Sequence, residues 1–276
     1  MSKINYNALA VDGLKEVFLQ VSESCRELNI EFIIVGAIAR NIWYVHNDMK
    51  ARGTKDIDFG IYVPHVDQYN KLRAALVDNY GYVISSQNAF CLMTPDEKQI
   101  DLLPFGEIEN EGQVMIEGKG LTRISLDGFN EVYQFGATEV LIGEETYKSC
   151  SIPGIVILKL IAFDDRPNRR IKDVIDINSI CLHYPSIETE LIWNEYNDLY
   201  EQGLEHQEVG VVVLGSEMKK MIKGNKKLEE RLLGIFDRAI KEDSALLSLM
   251  IDDPEQETLD MKRNLINYLK MGFIQA

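Results

Sequence analysis

The chain has 276 residues, 46% of them hydrophobic, and a formal net charge of -15 at pH 7. A chain of this length and composition can bury a substantial core, in one large domain or two modest ones. The acidic charge argues against binding nucleic acid over a broad basic face. The longest apolar run, residues 155–163, is interrupted by Lys159 and falls short of the roughly 18 apolar residues that a membrane span needs.

The cysteines and the first residues restrict the class further. The four cysteines show no Cys-X-X-Cys spacing, which argues against a zinc site and gives no sign of a disulfide framework. The first residues lack a basic region followed by a hydrophobic core, so no secretory signal is visible. We therefore expect a cytoplasmic protein with no membrane partner.

Hydrophobic periodicity predicts helices and strands in the first half of the chain. The predicted helices span residues 12–28, 37–45 and 66–79. The predicted strands span residues 31–35, 56–63, 82–85, 89–93, 99–105 and 138–142. Gly81 is expected to end the third helix as a C-cap, since glycine readily adopts the left-handed conformation.

The pattern changes at residues 151–154, where Ser-Ile-Pro-Gly precedes a strongly apolar run and proline favours a first helical turn. We place a domain boundary there, with one domain over residues 1–150 and a helical domain over residues 151–276. Pro167 and Pro185 are expected to end the first two helices of the second domain. Its predicted helices, expected to form a bundle, span residues 155–166, 170–183, 188–202, 206–223, 226–241 and 255–270.

Three aspartates form a candidate site in the first domain. Asp56 and Asp58 alternate with apolar residues in a predicted strand, so both point to the same face. Asp101 lies in another strand-like run. Carboxylates gathered on one sheet suit Mg²⁺, which prefers hard oxygen ligands. An Asp-X-Asp pair by itself is also typical of a solvated strand edge or turn, so the combination with neighbouring elements carries the prediction.

A turn and a helix N-terminus accompany these aspartates. Gly36 and Ala37 begin the helix after the first strand, and its free N-H groups can face a phosphate. Together these features predict nucleotidyl transfer, in which two divalent ions about 3.5 to 4 Å apart stabilise the attacking and leaving oxygens. We assign Asp56 and Asp58 as shared metal ligands. Asp101 would bind the metal nearest the acceptor and help to deprotonate its hydroxyl.

These motifs resemble the DNA polymerase β-like nucleotidyltransferase superfamily. The Val-Gly-Ala-X-Ala turn and the Arg-X-Thr-X-Asp-Ile-Asp-Phe strand are most similar to the AbiEii/AbiGii toxin group, which includes MenT-type tRNA-modifying toxins. The resemblance covers residues 30–180. It implies an α+β fold, with a mixed catalytic sheet and flanking helices followed by a helical bundle, and an enzyme that uses Mg²⁺ or Mn²⁺.

The resemblance also implies a set of nucleotide-binding residues. Lys159, with a catalytic role, and Arg166 would neutralise phosphate charge, while Asp173 would orient a basic residue. Residues 159–172 contain five basic side chains against two acidic ones, although basic residues at a helix end are also favoured by the helix dipole alone. The full set of nucleotide-binding candidates is Gly36, Ala37, Arg40, Thr54, Lys55, Lys159, Arg166, Arg170 and Asp173.

The partners follow from the same resemblance. An NTP is the donor, and the acceptor is a tRNA 3′ end, as in toxin relatives, or a small hydroxylated molecule, as in other branches. The acidic charge favours the small molecule. The toxin group also raises a cognate antitoxin as a partner. The alternative is a non-catalytic nucleotide-binding or toxin-antitoxin interaction protein that kept the fold, against which the three carboxylates argue. The Gly-X-Ser-X-Gly elbow of hydrolases and the P-loop motif are both absent from the sequence.

Overall fold

The computed structural model describes residues 4–5, 14–54, 56–110 and 112–276. The chain divides into two compact units, Met1–Ser151 and Ile152–Ala276. Within the described residues, no helix is both long and apolar enough to cross a membrane. Lys55, a predicted nucleotide-binding residue, lies outside the described residues.

The first unit is built on a mixed sheet. The strands of this unit are β1 Ile4–Asn5, β2 Glu31–Val35, β3 Asp56–Tyr62, β4 Val83–Ile84, β5 Cys91–Met93, β6 Gln99–Phe105, β7 Gln113–Met115, β8 Arg123–Ser125, β9 Ala137–Ile142 and β10 Glu145–Cys150. Eight of them form one sheet in the order β1-β9-β10-β2-β3-β6-β5-β4, and β7 pairs with β8 in a separate two-stranded sheet.

Helices accompany this sheet. They are α1 Leu14–Glu27, α2 Gly36–His46, α3 Val66–Tyr80 and α4 Phe129–Phe135. Phe18 of α1 meets Phe59 of β3 edge to face with ring centroids 5.4 Å apart, which fixes α1 against the apolar face of the sheet. Burial of each such ring contributes about 1.5 to 3 kcal/mol. Gly81 ends α3 with φ 71°, which confirms the predicted left-handed C-cap.

The second unit is helical. Its α-helices are α5 Ile152–Asp165, α6 Ile171–Ile187, α7 Thr189–Glu195, α8 His206–Met221, α9 Lys226–Ala239, α10 Ala245–Leu249 and α11 Leu259–Gln275. Helices α8 and α11 touch backbone to backbone. A Cβ on Gly215 would lie 2.0 Å from the Leu269 oxygen, and a Cβ on Gly272 would lie 1.8 Å from the Val212 oxygen. Glycine at both positions therefore permits the close packing of these two helices.

The predicted fold class is confirmed as an α+β unit with a mixed sheet followed by helices. The sequence pattern missed the short elements β1, β7, β8, α4 and α10, and also β10. The predicted helix over residues 188–202 is in fact α7 followed by a 3-10 helix, Asn197–Gln202.

The predicted end of α6 is wrong, because this helix continues through Pro185 to Ile187. A proline inside a helix leaves the carbonyl four residues earlier without its backbone partner. Here Gln207 Nε2 donates to that carbonyl, the Cys181 oxygen, at 2.7 Å. A side chain from α8 thus satisfies the oxygen that Pro185 cannot, and the helix does not have to stop.

Candidate functional site

A row of neighbouring residues crosses four strands of the first unit. Val35 of β2 lies opposite Asp58 of β3, and Asp58 is paired in the parallel direction with Asp101 of β6. Cys91 of β5 lies opposite Asp101 on its other side. Because paired residues on adjacent strands sit side by side, about 4.8 Å apart between strands, Asp58 and Asp101 are direct neighbours. The structure thus brings together two of the predicted carboxylates.

The Asp56 side chain lies on the same face as that of Asp58, because side chains alternate along β3. It is paired with Gln99 of β6, and Gln99 Nε2 donates to Asp101 Oδ1 at 3.3 Å. The three aspartates are partly exposed. The sequence analysis missed Gln99, although its position two residues before Asp101 places it on the same face of β6. Gln99 therefore lies beside Asp56 in the strand register and hydrogen-bonds the carboxylate of Asp101.

The turn at Gly36 is fitted closely to Asp58. Gly36 has φ 66°, and a Cβ placed on it would lie 2.2 Å from Asp58 Oδ2. Only glycine accommodates both the backbone conformation and the carboxylate beside it. Val35 is the N-cap of α2 and has no polar side chain with which to cap it. The first-turn N-H groups, including that of the half-buried Ala37, therefore lie at a helix end that suits an anion.

The segment before β3 is held by two short networks. The Asp56 N-H donates to Thr54 Oγ1 at 3.3 Å, so the Thr54 hydroxyl shapes the start of the strand. Arg40 is only 2% exposed and donates to Asn41 Oδ1 at 2.7 Å. Asn41 Nδ2 in turn donates to the Arg52 oxygen at 2.9 Å. Arg40, predicted to bind nucleotide, thus contributes to a buried network beside the site.

Cys91 is a neighbour that the sequence analysis did not select. Burial, followed by the charge of Asp101, raises the pKa of Cys91 to about 12. Burial thus disfavours the thiolate, so Cys91 is not an activated nucleophile.

The donor set can be compared with what a divalent ion requires. Asp56, Asp58 and Asp101 offer the carboxylate oxygens that Mg²⁺ prefers, on one face and partly exposed. Across the described part of the chain, no three His, Cys, Asp or Glu side chains are gathered closely enough to hold a metal ion. The donors thus suit a metal by their chemistry and by lying on one face, but in the described structure they are not gathered into a three-ligand group.

Lys159 lies in the second unit and is paired there. It is 7% exposed, and its Nζ lies 2.7 Å from Asp173 Oδ1 and 2.9 Å from Asp176 Oδ2. Burial alone would lower the pKa of Lys159, but the charges of Asp173 and Asp176 raise it above its ordinary value. The sequence predicts a partner for a buried ammonium. That partner is a pair of carboxylates in the structure, where we expected a nucleotide phosphate.

The other predicted residues of this unit lie close to the pair. Arg170 Nη1 is 3.8 Å from Asp173 Oδ2, so Asp173 does contact two basic residues. Arg166 is partly exposed and precedes the 3-10 helix Pro167–Arg169. A nucleotide-binding role for Lys159, Arg166, Arg170 and Asp173 stays a prediction.

Comparison with solved structures finds distant likeness to nucleotidyltransferases. The solution structure of the antibiotic-resistance factor ANT(2'')-Ia matches at 15% identity with a TM-score of 0.40, over 68% of this chain and 96% of that one. The crystal structure of ANT(2'')-Ia in complex with adenylyl-2''-tobramycin matches at 15% identity with a TM-score of 0.38, over 68% of this chain and 95% of that one.

A nucleotidyltransferase-like protein from Paracoccidioides brasiliensis matches at 15% identity with a TM-score of 0.37, over 70% of this chain and 93% of that one. No protein-family model matches the sequence, and no curated protein matches it. Likeness at this level of identity and TM-score assigns no activity to this chain. Membership of the AbiEii/AbiGii group stays a prediction.

Proposed function

We propose that this protein is a metal-dependent nucleotidyltransferase, which moves a nucleoside monophosphate from an NTP to an acceptor hydroxyl. The observation that carries the proposal is the placement of Asp58. Its carboxylate lies next to Asp101 on the adjacent strand and against the turn at Gly36 that begins α2. Carboxylates and an anion-binding helix end thus occupy one place on the sheet.

The electrostatics of this place favour a cation between protein and substrate. The N-terminus of α2 attracts phosphate through its N-H groups and its dipole. The Asp58 carboxylate beside Gly36 repels the same phosphate. Asp58 and Asp56 would hold a divalent cation, whose charge would offset this repulsion. Bound Mg²⁺ or Mn²⁺ would supply this charge neutralisation to the transfer reaction.

The residues of the chain then have separate roles in the reaction. Backbone N-H groups after Gly36 bind the triphosphate, and Asp56 and Asp58 would hold the cation. Asp101 accepts the proton of the acceptor hydroxyl while the acceptor oxygen bonds to the α-phosphorus, and pyrophosphate leaves. Gln99 keeps Asp101 oriented by its hydrogen bond to Oδ1. The formal charge of -15 favours a small acceptor over tRNA, since RNA needs several basic contacts.

The test is a transfer assay with each labelled NTP in Mg²⁺, offered total RNA, a metabolite extract or the protein alone. We expect label in one of these fractions with the wild-type chain and none with Asp58→Asn. Asp78→Asn is the matched control, because Asp78 is an exposed aspartate of α3 in the same unit. Equal transfer by the wild type and Asp58→Asn would refute the proposed site.

A second candidate function is nucleotide binding without transfer. It is favoured by one observation, that the carboxylates of the described residues are not gathered into a three-ligand group. Under this alternative, calorimetry detects NTP binding that depends on Gly36 and Asp58, while no fraction acquires label.

The cognate antitoxin predicted from the resemblance would be sought by the transfer assay, as a protein that suppresses the transfer.

A further inference from the structure

A cavity of about 460 Å³ lies at the β4 edge of the sheet in the first unit. Its walls come from α3, from the residues after β4 and from the loop between β7 and β8. The volume is within the range of about 300 to 1,000 Å³ that is typical of small-molecule sites. We call this cavity the Arg73 pocket, and its polar lining consists of Asn70, Arg73, Ser85, Ser86, Glu117 and Lys119.

Arg73 is the most informative residue of the pocket. It is only 6% exposed, its Nη1 donates to Asn70 Oδ1 at 3.4 Å, and its guanidinium stacks over the Tyr69 ring at 5.6 Å. Among the described residues, no acceptor partners the buried Nε of Arg73. A buried charged group whose donors are not all satisfied is costly. The pocket that Arg73 lines therefore suits an anion.

The wall opposite α3 is fixed in place. The Leu121 N-H donates to the Gln87 oxygen at 2.9 Å, and the Ala89 N-H donates to the Leu121 oxygen at 2.8 Å. A Cβ on Gly120 would lie 2.0 Å from the same Gln87 oxygen, so the loop packs directly on this backbone. This close attachment sets the position of Lys119, the residue before Gly120. The pocket is thus built from ordered backbone on both sides.

The charge and donor count of the lining favour phosphate. Arg73 and Lys119 outnumber the one acidic lining residue, Glu117, in a chain whose overall charge is strongly negative. Ser85 and Ser86 add two hydroxyls to the guanidinium and ammonium donors. A phosphate monoester presents three terminal oxygens to these donors, one more than a carboxylate does.

We propose that the Arg73 pocket binds the phosphate group of a small phosphorylated molecule. The Ser85 N-H donates to the Cys91 oxygen at 3.0 Å, which fixes the β4 wall of the pocket to the sheet.

The test is calorimetry on the full chain with inorganic phosphate, ribose 5-phosphate, ribose and acetate, in EDTA and without NTP. We expect the two phosphates to bind and ribose and acetate not to bind. Arg73→Met should weaken phosphate binding by about tenfold or more, since it removes a charged hydrogen-bond donor. Lys119→Ala should weaken it about twofold to fivefold, as for an exposed ion pair. Lys71→Ala, an exposed lysine of α3 outside the lining, is the matched control.

Absence of phosphate binding to the wild type overturns the proposal, as does equal binding by folded Arg73→Met or acetate binding as tight as phosphate. Should Arg73→Met fail to fold, unchanged affinity in both Lys119→Ala and Ser86→Ala overturns it equally. The two proposals are tested separately. Phosphate binding by a wild-type chain that transfers no label supports the pocket and refutes the transferase. Transfer in a chain that binds no phosphate in EDTA refutes the pocket alone.

Discussion

Asp58 and Gly36 are fitted to one another, since the Asp58 carboxylate fills the space that any side chain at Gly36 would need. This contact joins the third strand of the unit to the start of α2. It couples the carboxylate that we assign to the metal with the backbone that we assign to the phosphate. A change at either residue should therefore disturb both functions of the site.

Gly36→Ala should abolish nucleotide transfer and weaken NTP binding. The new Cβ would displace Asp58 Oδ2, which lies 2.2 Å from its position, and a left-handed alanine costs about 1 to 2 kcal/mol. Gly53→Ala is the control, because a Cβ at Gly53 meets nothing within 4 Å. Transfer assays and urea unfolding of both variants provide the measurement. Normal transfer by Gly36→Ala would show that the turn does not approach the substrate.

Asp56→Asn and Asp101→Asn should each lower the rate of transfer by about two orders of magnitude or more, as expected for lost metal-site charge. Their free energies of unfolding should stay within about 1 kcal/mol of the wild type, because the side chains are partly exposed and the volume is conserved. Transfer rates across a Mg²⁺ titration test this. A near wild-type rate in either variant would remove that aspartate from the site.

Lys159→Met should lose about 3 to 5 kcal/mol of stability, because it leaves Asp173 and Asp176 buried without their shared counter-charge. Lys172→Met, a change at an exposed lysine of the same unit, should have little effect. Adding Asp173→Asn and Asp176→Asn to Lys159→Met should recover part of the loss. Chemical unfolding and NTP calorimetry separate the two roles of Lys159. Unchanged stability with weaker NTP binding would show that its main partner is a phosphate.

Glu188 should make the stability of the second unit depend on pH. Burial, followed by the charge of Glu217, raises the pKa of Glu188 from 4.5 to about 7. The folded chain therefore keeps this proton to higher pH than the unfolded chain does. The contribution of Glu188 to the free energy of unfolding is fully present below pH 4.5 and is lost as the pH rises to about 7. At 1.4 kcal/mol per pH unit, this loss is about 3 kcal/mol.

Glu188→Gln should lack this loss and should be more stable than the wild type at pH 8. The measurement is urea unfolding of both chains from pH 4.5 to pH 8, with the difference taken at each pH so that other groups cancel. Parallel curves over that range would mean that Glu188 titrates normally.

Salt dependence should separate the two classes of acceptor. A tRNA acceptor would lose affinity steeply with rising salt, whereas a small acceptor would show a shallow slope. We expect the shallow slope. Acceptor binding across salt is measured for the wild type and for Arg169→Ala/Arg170→Ala, which removes the last residue of the 3-10 helix Pro167–Arg169 and the arginine after it. A steep slope unchanged by this double substitution would locate RNA on another surface.

The sequence by itself determined the elements whose patterns are local. Strands β2 and β6 coincide with the predicted residues 31–35 and 99–105, because alternation along a strand is set by its own residues. The C-cap at Gly81 was predicted for the same reason, since its conformation depends on glycine at that one position. Short elements such as β7 and α4 escaped prediction, because a few residues carry too little periodicity to be distinguished from a turn.

Only the tertiary structure decided which residues are neighbours. Strand pairing brings Asp58 beside Asp101, and places Cys91 and Gln99 with them, across separations in sequence that no local pattern reports. The sequence likewise indicated that Lys159 needs a partner, but it did not identify that partner. The partner depends on how α5 packs against α6, which brings the ammonium within 2.7 Å of Asp173 Oδ1. Chemistry carried by one residue can be predicted from sequence, whereas chemistry shared between residues depends on packing.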